Sequence, residues 1–310
     1  MSNTQVIGID FGGTSVKVAV VEGENLVTEI FRIDTQQHTG PDSLIEVIAD
    51  KVEALRKDFP AVAAVGIGVP GAIDFAKGIT YNLTNVKGWS NVPLRDIMAE
   101  KTGLPALMEN DANCMAYAEY KYGAGQGYEN VVCVTLGTGV GGGLILNGQL
   151  YRGAQYAAGE IGQMSIDHDG VDGPYGNNGA LERYIGNRQI SQLAAHYYQE
   201  AGAEVPGDIS PENLAQLAGK GDPVAIKLWQ NVAIYLGSCL MSTIYLLNPH
   251  AIVIGGGVAH AGDVLFAPLK DYLNRTLTGE CFNELQILHA RFGNTAGILG
   301  SSALAAELLD

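Results

Sequence analysis

Charge is scarce in this chain of 310 residues. Only 16% of them are charged, against about 25% in ordinary soluble domains. Just 18 are basic against 33 acidic, for a formal net charge of −15. No Lys/Arg run marks an electrostatic footprint for a nucleic-acid backbone, so no nucleic-acid partner is expected. The four cysteines, Cys114, Cys133, Cys239 and Cys281, lack CxxC or CxC spacing, which argues against a disulfide framework and a zinc knuckle. No G-x-x-x-x-G-K-[ST] sequence occurs, so a P-loop fold is excluded at the motif level. The longest apolar stretch, residues 232–247, falls short of the roughly 20 needed to span a bilayer. It follows Lys227, Gln230 and Asn231 and stops before Pro249, so it reads as a buried core helix. The opening MSNTQVIGIDFGG shows no basic region before an apolar run; a signal peptide is not expected.

What the chain has in excess is glycine, 41 residues, near twice the usual share of about 7%. The glycines cluster, as they do where backbone must approach a ligand closely. Apolar residues make up 47%, and the length suits two domains. The pattern is α/β. VIGIDFGGTSVKVAVVEG reads as strand, glycine turn, strand. Leu44, Ile48, Val52 and Leu55 place a helix after Pro41. AAVGIGVPG is a buried strand entering a turn, a short helix falls near residues 93–101, and LPALMEND is a strand. A helix follows over 111–122, with Gly123 just past its end. VVCVTLGTGVGGGLILNGQLY then repeats the strand–glycine turn–strand grammar, which suggests duplicated domains. Helices are expected at 181–200, 211–218 and 223–247, a strand at AIVIGGGVA, a helix at 262–277, a strand at LQILHA and a last helix at 297–309.

Three glycine clusters are candidates for holding phosphate through converging backbone N–H groups. Residues 137–142 and 66–71 both satisfy G-x-G-x-x-G, but a dinucleotide fingerprint needs a helix to begin at the loop. LILNGQLY and AIDFAKG follow instead, and neither is helical. What remains is a hairpin grip, one loop from each half, with Thr14 and Thr138 as hydroxyl donors and Lys17 as a point charge. Asp10, at a strand end, is placed to hold Mg²⁺ through water, since that ion keeps several waters when one carboxylate binds it. In Glu109-Asn110-Asp111-Ala112-Asn113, a carboxylate stands where a strand ends and a helix starts. Asp111 can cap that helix or accept a proton from an attacking hydroxyl, the one base that phosphoryl transfer requires.

Asp10-Phe11-Gly12-Gly13-Thr14, Gly68 to Gly71, Asn85-Val86-Lys87-Gly88-Trp89, Glu109 to Asn113, Leu136 to Gly143, Ala158-Gly159-Glu160-Ile161-Gly162 and Gly255-Gly256-Gly257-Val258 together resemble the motifs of the ROK (repressor, open reading frame, kinase) family. The resemblance implies an actin-like two-domain fold with ribonuclease H-like repeats and a cytoplasmic homodimer or larger homo-oligomer. It implies a smaller lobe of residues 1–115 plus 297–310, a larger one of 116–296, and an active site between them. It further implies ATP-dependent phosphorylation of a hexose or N-acetylhexosamine, glucose first, at O6, with Mg²⁺. Asp111 is similar to the family's general base. Asn85, Asn110, Glu160, Gln163 and Glu182 fall where members contact the sugar. Gly12, Gly13, Gly137, Thr138, Gly139, Gly255 and Gly256 fall where they contact the nucleotide.

The chain departs from the family at its zinc motif. The His position is Gln163, and the cysteine positions are Gly173, Tyr175 and Ala180. Zinc prefers thiolate and imidazole ligands, so no zinc is expected. His168 with Asp167, Asp169 and Asp172 reads as a solvated acidic loop. Two other functions are weighed. A repressor of this family carries a helix-turn-helix before the first strand, which begins here at about residue 5. A non-catalytic sugar sensor has no need of Asp10, Asp111 and every glycine loop. Polyphosphate as donor calls for a basic groove that 18 scattered basic residues do not suggest.

Overall fold

Two apolar runs separated by Gly12-Gly13 form an antiparallel hairpin, β1 (Gln5–Phe11) with β2 (Ser15–Glu22), in which Asp10 stands opposite Lys17. The computed structural model describes residues 4–173 and 175–309; the Cys281 side chain also lies outside the description. β3 (Asn25–Leu26) and β4 (Phe31–Asp34) both pair with β2. Helix α1 (Pro41–Asp58) starts on a proline and buries Leu44, Ile45, Ile48, Val52 and Leu55, the apolar stripe its spacing dictates. β5 (Val62–Val69) runs parallel to β1. The short hairpin β6 (Ile73–Asp74) and β7 (Ile79–Thr80) precedes α2 (Leu94–Thr102). β8 (Ala106–Asn110) is parallel to β5 and feeds α3 (Asp111–Tyr122). The first sheet thus has the order β3-β2-β1-β5-β8, with β4 also on β2.

The second sheet repeats that path. β9 (Val131–Leu136), β10 (Val140–Leu146) and β11 (Gln149–Tyr151) come first. After α4 (Glu182–Ile185), α5 (Asn187–Glu200), α6 (Pro211–Gly219) and α7 (Pro223–Leu247) comes β12 (Ala251–Gly255), parallel to β9. α8 (Asp263–Thr276) and β13 (Gln286–His289), parallel to β12, complete it. The order β11-β10-β9-β12-β13 matches β3-β2-β1-β5-β8 strand for strand. The duplication that two glycine hairpins suggested is therefore a repeated topology. Two expectations needed adjustment. The helix over 181–200 is broken at Gly186 into α4 and α5, and the last helix is α9 (Ala296–Ala306) followed by a 3₁₀ turn over 307–309. α7, at 25 residues, is long and apolar enough to cross a membrane by composition. Its Leu228, Trp229, Val232, Leu236, Leu240 and Ile244 are buried within the protein, as befits a core helix.

The chain groups into two units: Met1–Gly127, Gly143–Ala158 and Asn294–Asp310 in one, Tyr128–Gly142 and Gly159–Gly293 in the other. A boundary at residue 115 falls inside α3. In the first unit, α9 packs on α3, β5 and β1, and Ile7, Ile9, Val18, Ile48, Ile67 and Met108 lie in one apolar core.

Candidate active site

In the first unit, the register of the β1–β2 hairpin dictates the first contact. Lys17 Nζ donates to Asp10 Oδ2 at 2.8 Å and to the Asn294 carbonyl at 3.1 Å. Lys17 was expected to offer its charge to phosphate; here it is paired, with both side chains mostly buried. The turn itself is closed by Gly12 N–H to the Ser15 carbonyl at 2.9 Å, and the Thr14 carbonyl accepts Thr35 N–H at 3.1 Å. Asn85 Nδ2 lies 3.6 Å from where a Cβ on Gly13 would stand, so Asn85 and the first glycine loop are neighbours. The segment carrying Asn85 is held by Trp89, whose buried Nε1 donates to Thr80 Oγ1 at 2.7 Å and whose ring meets Phe11 edge-on.

At the β8–α3 junction the two interpretations of the carboxylate separate. Asn110 is the cap: its Oδ1 accepts the N–H groups of Ala112 and Asn113 at 3.0 and 3.2 Å, and its Nδ2 donates to the Gly71 carbonyl at 3.2 Å. Asp111 is the first helical residue, and its Oδ1 accepts Ala112 N–H at 2.8 Å. Asn110, expected as a hydroxyl anchor, thus also does the structural work of ending the strand.

In the second unit, Gly137-Thr138-Gly139 turns tightly, Gly137 N–H donating to the Gly139 carbonyl at 2.9 Å. Glu182 braces this turn, its Oε2 accepting Val140 N–H at 3.0 Å, and Asn187 N–H donates to the Gly137 carbonyl at 2.9 Å. The third loop follows β12 alongside: Gly256 has φ +86°, and a Cβ there would sit 2.7 Å from the Leu136 carbonyl carbon, so only glycine fits. The second and third loops therefore stand at the carboxyl ends of two paired parallel strands, where open α/β sheets bind ligands. Beside Gly257 opens a cavity of about 540 Å³ lined by Asn187, Ser210, Glu212, Gln216 and His260 among others. None of these five was singled out from sequence, since they come from three separate segments.

Gln163 Nε2 donates to Glu182 Oε1 at 3.5 Å, while its Oε1 is buried without a partner among the described residues. Partial burial, and then the charge of Glu182, raise the pKa of Glu160 above the ordinary carboxylate range. The segment that departs from the zinc motif is crossed by hydrogen bonds. Ser165 pairs with Ala180 and Asp172 with Asn178 across it, Asn177 Nδ2 donates to the Gln163 carbonyl at 2.9 Å, and Gly179 N–H to the Val171 carbonyl at 2.8 Å. His168 meets Asp169 in open solvent. Among the described residues no group of three or more His, Cys, Asp or Glu is placed to hold a metal. Asp10, the carboxylate expected to hold Mg²⁺, keeps Oδ2 on Lys17; a single carboxylate at a strand end fits an ion held mainly by water and phosphate oxygens.

The predicted site residues thus fall into two sets. Asp10, Gly12, Gly13, Thr14, Lys17, Asn85, Asn110 and Asp111 belong to the first unit, and Gly137, Thr138, Gly139, Glu160, Gln163, Glu182, Gly255 and Gly256 to the second. The model of the ROK family matches residues 6–308. A glucokinase from Streptomyces coelicolor is 33% identical over 97% of both chains. An N-acetyl-D-glucosamine kinase from Histophilus somni is 30% identical over 96% of this chain and 97% of its own. The crystal structure of a ROK family glucokinase from Streptomyces griseus, in complex with glucose and AMPPNP, superposes with a TM-score of 0.81 at 32% identity, covering 98% of this chain and 99% of its own. The fold is the actin-like one.

Proposed function

The chain belongs to the ROK family and is a sugar kinase; on that premise we propose that it transfers the γ-phosphoryl group of ATP to O6 of a hexose or N-acetylhexosamine, glucose first, with Asp111 as general base. The observation that supports this is at the β8–α3 junction: Asn110 Oδ1 takes the cap position and accepts both Ala112 and Asn113 N–H, while Asp111 accepts only Ala112 N–H through Oδ1, which favours Asp111 as the residue for the proton. Phosphoryl transfer needs little more than positioning, charge stabilisation and one base. The glucokinase and N-acetylglucosamine kinase relatives support the substrate class.

The nucleotide is assigned to the second unit. The cavity beside Gly257 takes the nucleoside, and the glycine turns at 137–139 and 255–256 meet its phosphates through backbone N–H groups. Asp10 would hold Mg²⁺ through water, and the ion would supply charge neutralisation on the phosphates. The sugar is assigned to Asn85, Asn110, Glu160, Gln163 and Glu182. The buried, unpaired Oε1 of Gln163 supports this, because a sugar hydroxyl donating to it would offset an otherwise costly orphan acceptor. The chain works as a cytoplasmic homodimer or larger homo-oligomer, without zinc.

The test is ADP release with Mg·ATP and a panel of hexoses and N-acetylhexosamines. Sugar-dependent release, with the phosphate found on O6 by ³¹P–¹H correlation, is the expected result. ATP binding with no turnover on any sugar of the panel would overturn the proposed substrate class.

A further inference from the structure

Glu109 is only 1% exposed, yet its carboxylate has three donors. Oε1 accepts Asn110 N–H at 2.9 Å and Asn113 Nδ2 at 3.0 Å, and Oε2 accepts Arg152 Nε at 2.6 Å. Arg152 lies 43 residues further along, just past β11, within the same unit. Its guanidinium covers the Phe75 ring at 4.1 Å, and the Tyr156 ring is tilted against Phe75 with centroids 5.9 Å apart. Tyr156 holds φ +59°, a left-handed conformation that costs a bulky residue about 1–2 kcal/mol. Phe75 sits between β6 and β7, and Gly71, just before β6, accepts Asn110 Nδ2. The β8–α3 junction is therefore tethered twice to the β6–β7 segment, once through Asn110 and once through Glu109 and Arg152. Asp111 is the next residue.

A buried ion pair is weak evidence for stability, since well-packed apolar residues of similar volume do as well or better. What such a pair supplies is direction: a planar guanidinium fixed on an aromatic face holds a carboxylate in one place. Charge balance points the same way. Burial foremost, then Glu109, Asp111 and Asp10, push the Cys114 thiol well above its usual range, while Arg152 opposes them. Three carboxylates, from β8, α3 and β1, thus act electrostatically on one buried thiol, and the cations Lys17 and Arg152 are bonded to Asp10 and Glu109.

We propose that Arg152 is a positioning residue for phosphoryl transfer: held on Phe75, it fixes Glu109, and Glu109 fixes the Asn110–Asn113 turn that aims the Asp111 carboxylate at the substrate hydroxyl. This rests on Asp111 being the base. A misplacement of the order of 1 Å at a reacting group costs up to about 10²-fold, so loss of the tether lowers kcat by about 10- to 100-fold and leaves ATP affinity alone.

The test uses the full-length kinase and the double variant Glu109→Gln/Arg152→Met, which removes both charges and so leaves no buried ion unpaired. The expected result is a wild-type melting temperature within a few degrees, KM for ATP within threefold, and kcat down by at least tenfold; Arg152→Lys, which keeps the charge, recovers part of the loss. A double variant with kcat within twofold of wild type overturns the proposal, and so does one that does not fold. The same double change is then made on Asp111→Asn. If Arg152 acts through Asp111, no further loss of kcat follows; an undiminished loss overturns the positioning role and leaves the base intact. Near-normal turnover of Asp111→Asn alone would instead remove the base itself.

Discussion

Gly139 offers the sharpest perturbation of the phosphate turn. A methyl group there would fall inside van der Waals contact of Glu182 Oε2 and 3.0 Å from its Cδ. The obstructing atoms belong to the far end of a flexible side chain, so in Gly139→Ala the Glu182 carboxylate moves while the hairpin backbone stays. The move breaks the 3.0 Å bond from Val140 N–H. A hydrogen bond to a charged group contributes about 1.5–3 kcal/mol, and about 1.4 kcal/mol is a factor of ten, so kcat/KM should fall by about 10- to 150-fold. The assay is coupled ADP release at varied sugar and ATP, for Gly139→Ala, Glu182→Ala and the double variant. Because the first change acts by displacing the second residue, the double variant should be no worse than about twofold below Glu182→Ala. Losses that multiply, or a Gly139→Ala enzyme within twofold of wild type, would refute the brace.

Asp111→Asn should retain sugar binding by calorimetry while kcat drops by about 10²–10⁴-fold, the usual contribution of a general base; a tenfold weaker sugar affinity with normal kcat would give Asp111 a binding role instead. Glu160 has a folded-state pKa raised by burial and by Glu182. The folded protein therefore holds that proton more tightly than the unfolded chain, and stability falls as pH rises from the ordinary carboxylate range through the raised value. Glu160→Gln should flatten that part of the melting-temperature profile, and an unchanged slope would discount the shift. Trp89→Phe keeps an aromatic ring near Phe11 but removes the bond to Thr80, costing about 0.5–1.5 kcal/mol in urea unfolding and raising the sugar KM through Asn85; a KM unchanged at that loss would uncouple the segment from the site. Protein purified without chelator should contain no stoichiometric zinc by mass spectrometry, and one equivalent per chain would show that another ligand set has replaced Gln163, Gly173, Tyr175 and Ala180.

Much of this site was legible before the structure because its signals are local. The two glycine hairpins show as strand–turn–strand by alternation alone, and α7 carries its own stops, Pro223 at the start and Asn248 in the left-handed conformation after the end. The ion pair of Lys17 with Asp10 was not among those readings, which gave Lys17 to phosphate, although the hairpin register sets residue 17 opposite residue 10. Strands of two or three residues, β3, β6, β7 and β11, are too short to establish a period. The break at Gly186 was hidden by an apolar pattern that runs through it. The brace from Glu182 to Val140 and the tether from Arg152 to Glu109 span 42 and 43 residues, and nothing local announces a partner at that distance.

The three residues Glu109-Asn110-Asp111 show why motif and role separate. Asn and Asp are near-equal N-caps, so sequence alone could not say which of two neighbours ends the strand. Tertiary contacts decide. Glu109 faces the interior and accepts the N–H of residue 110, which fixes the peptide that leads into the helix. With that peptide fixed, the Asn110 side chain reaches the open N–H groups of the first turn on one side and Gly71 on the other. The cap position thus falls one residue before Asp111, whose carboxylate shares Ala112 N–H and begins the helix at its positive end, where a negative charge is favoured. Three adjacent polar residues become an anchor, a cap and the proposed base because each has been given a different neighbour.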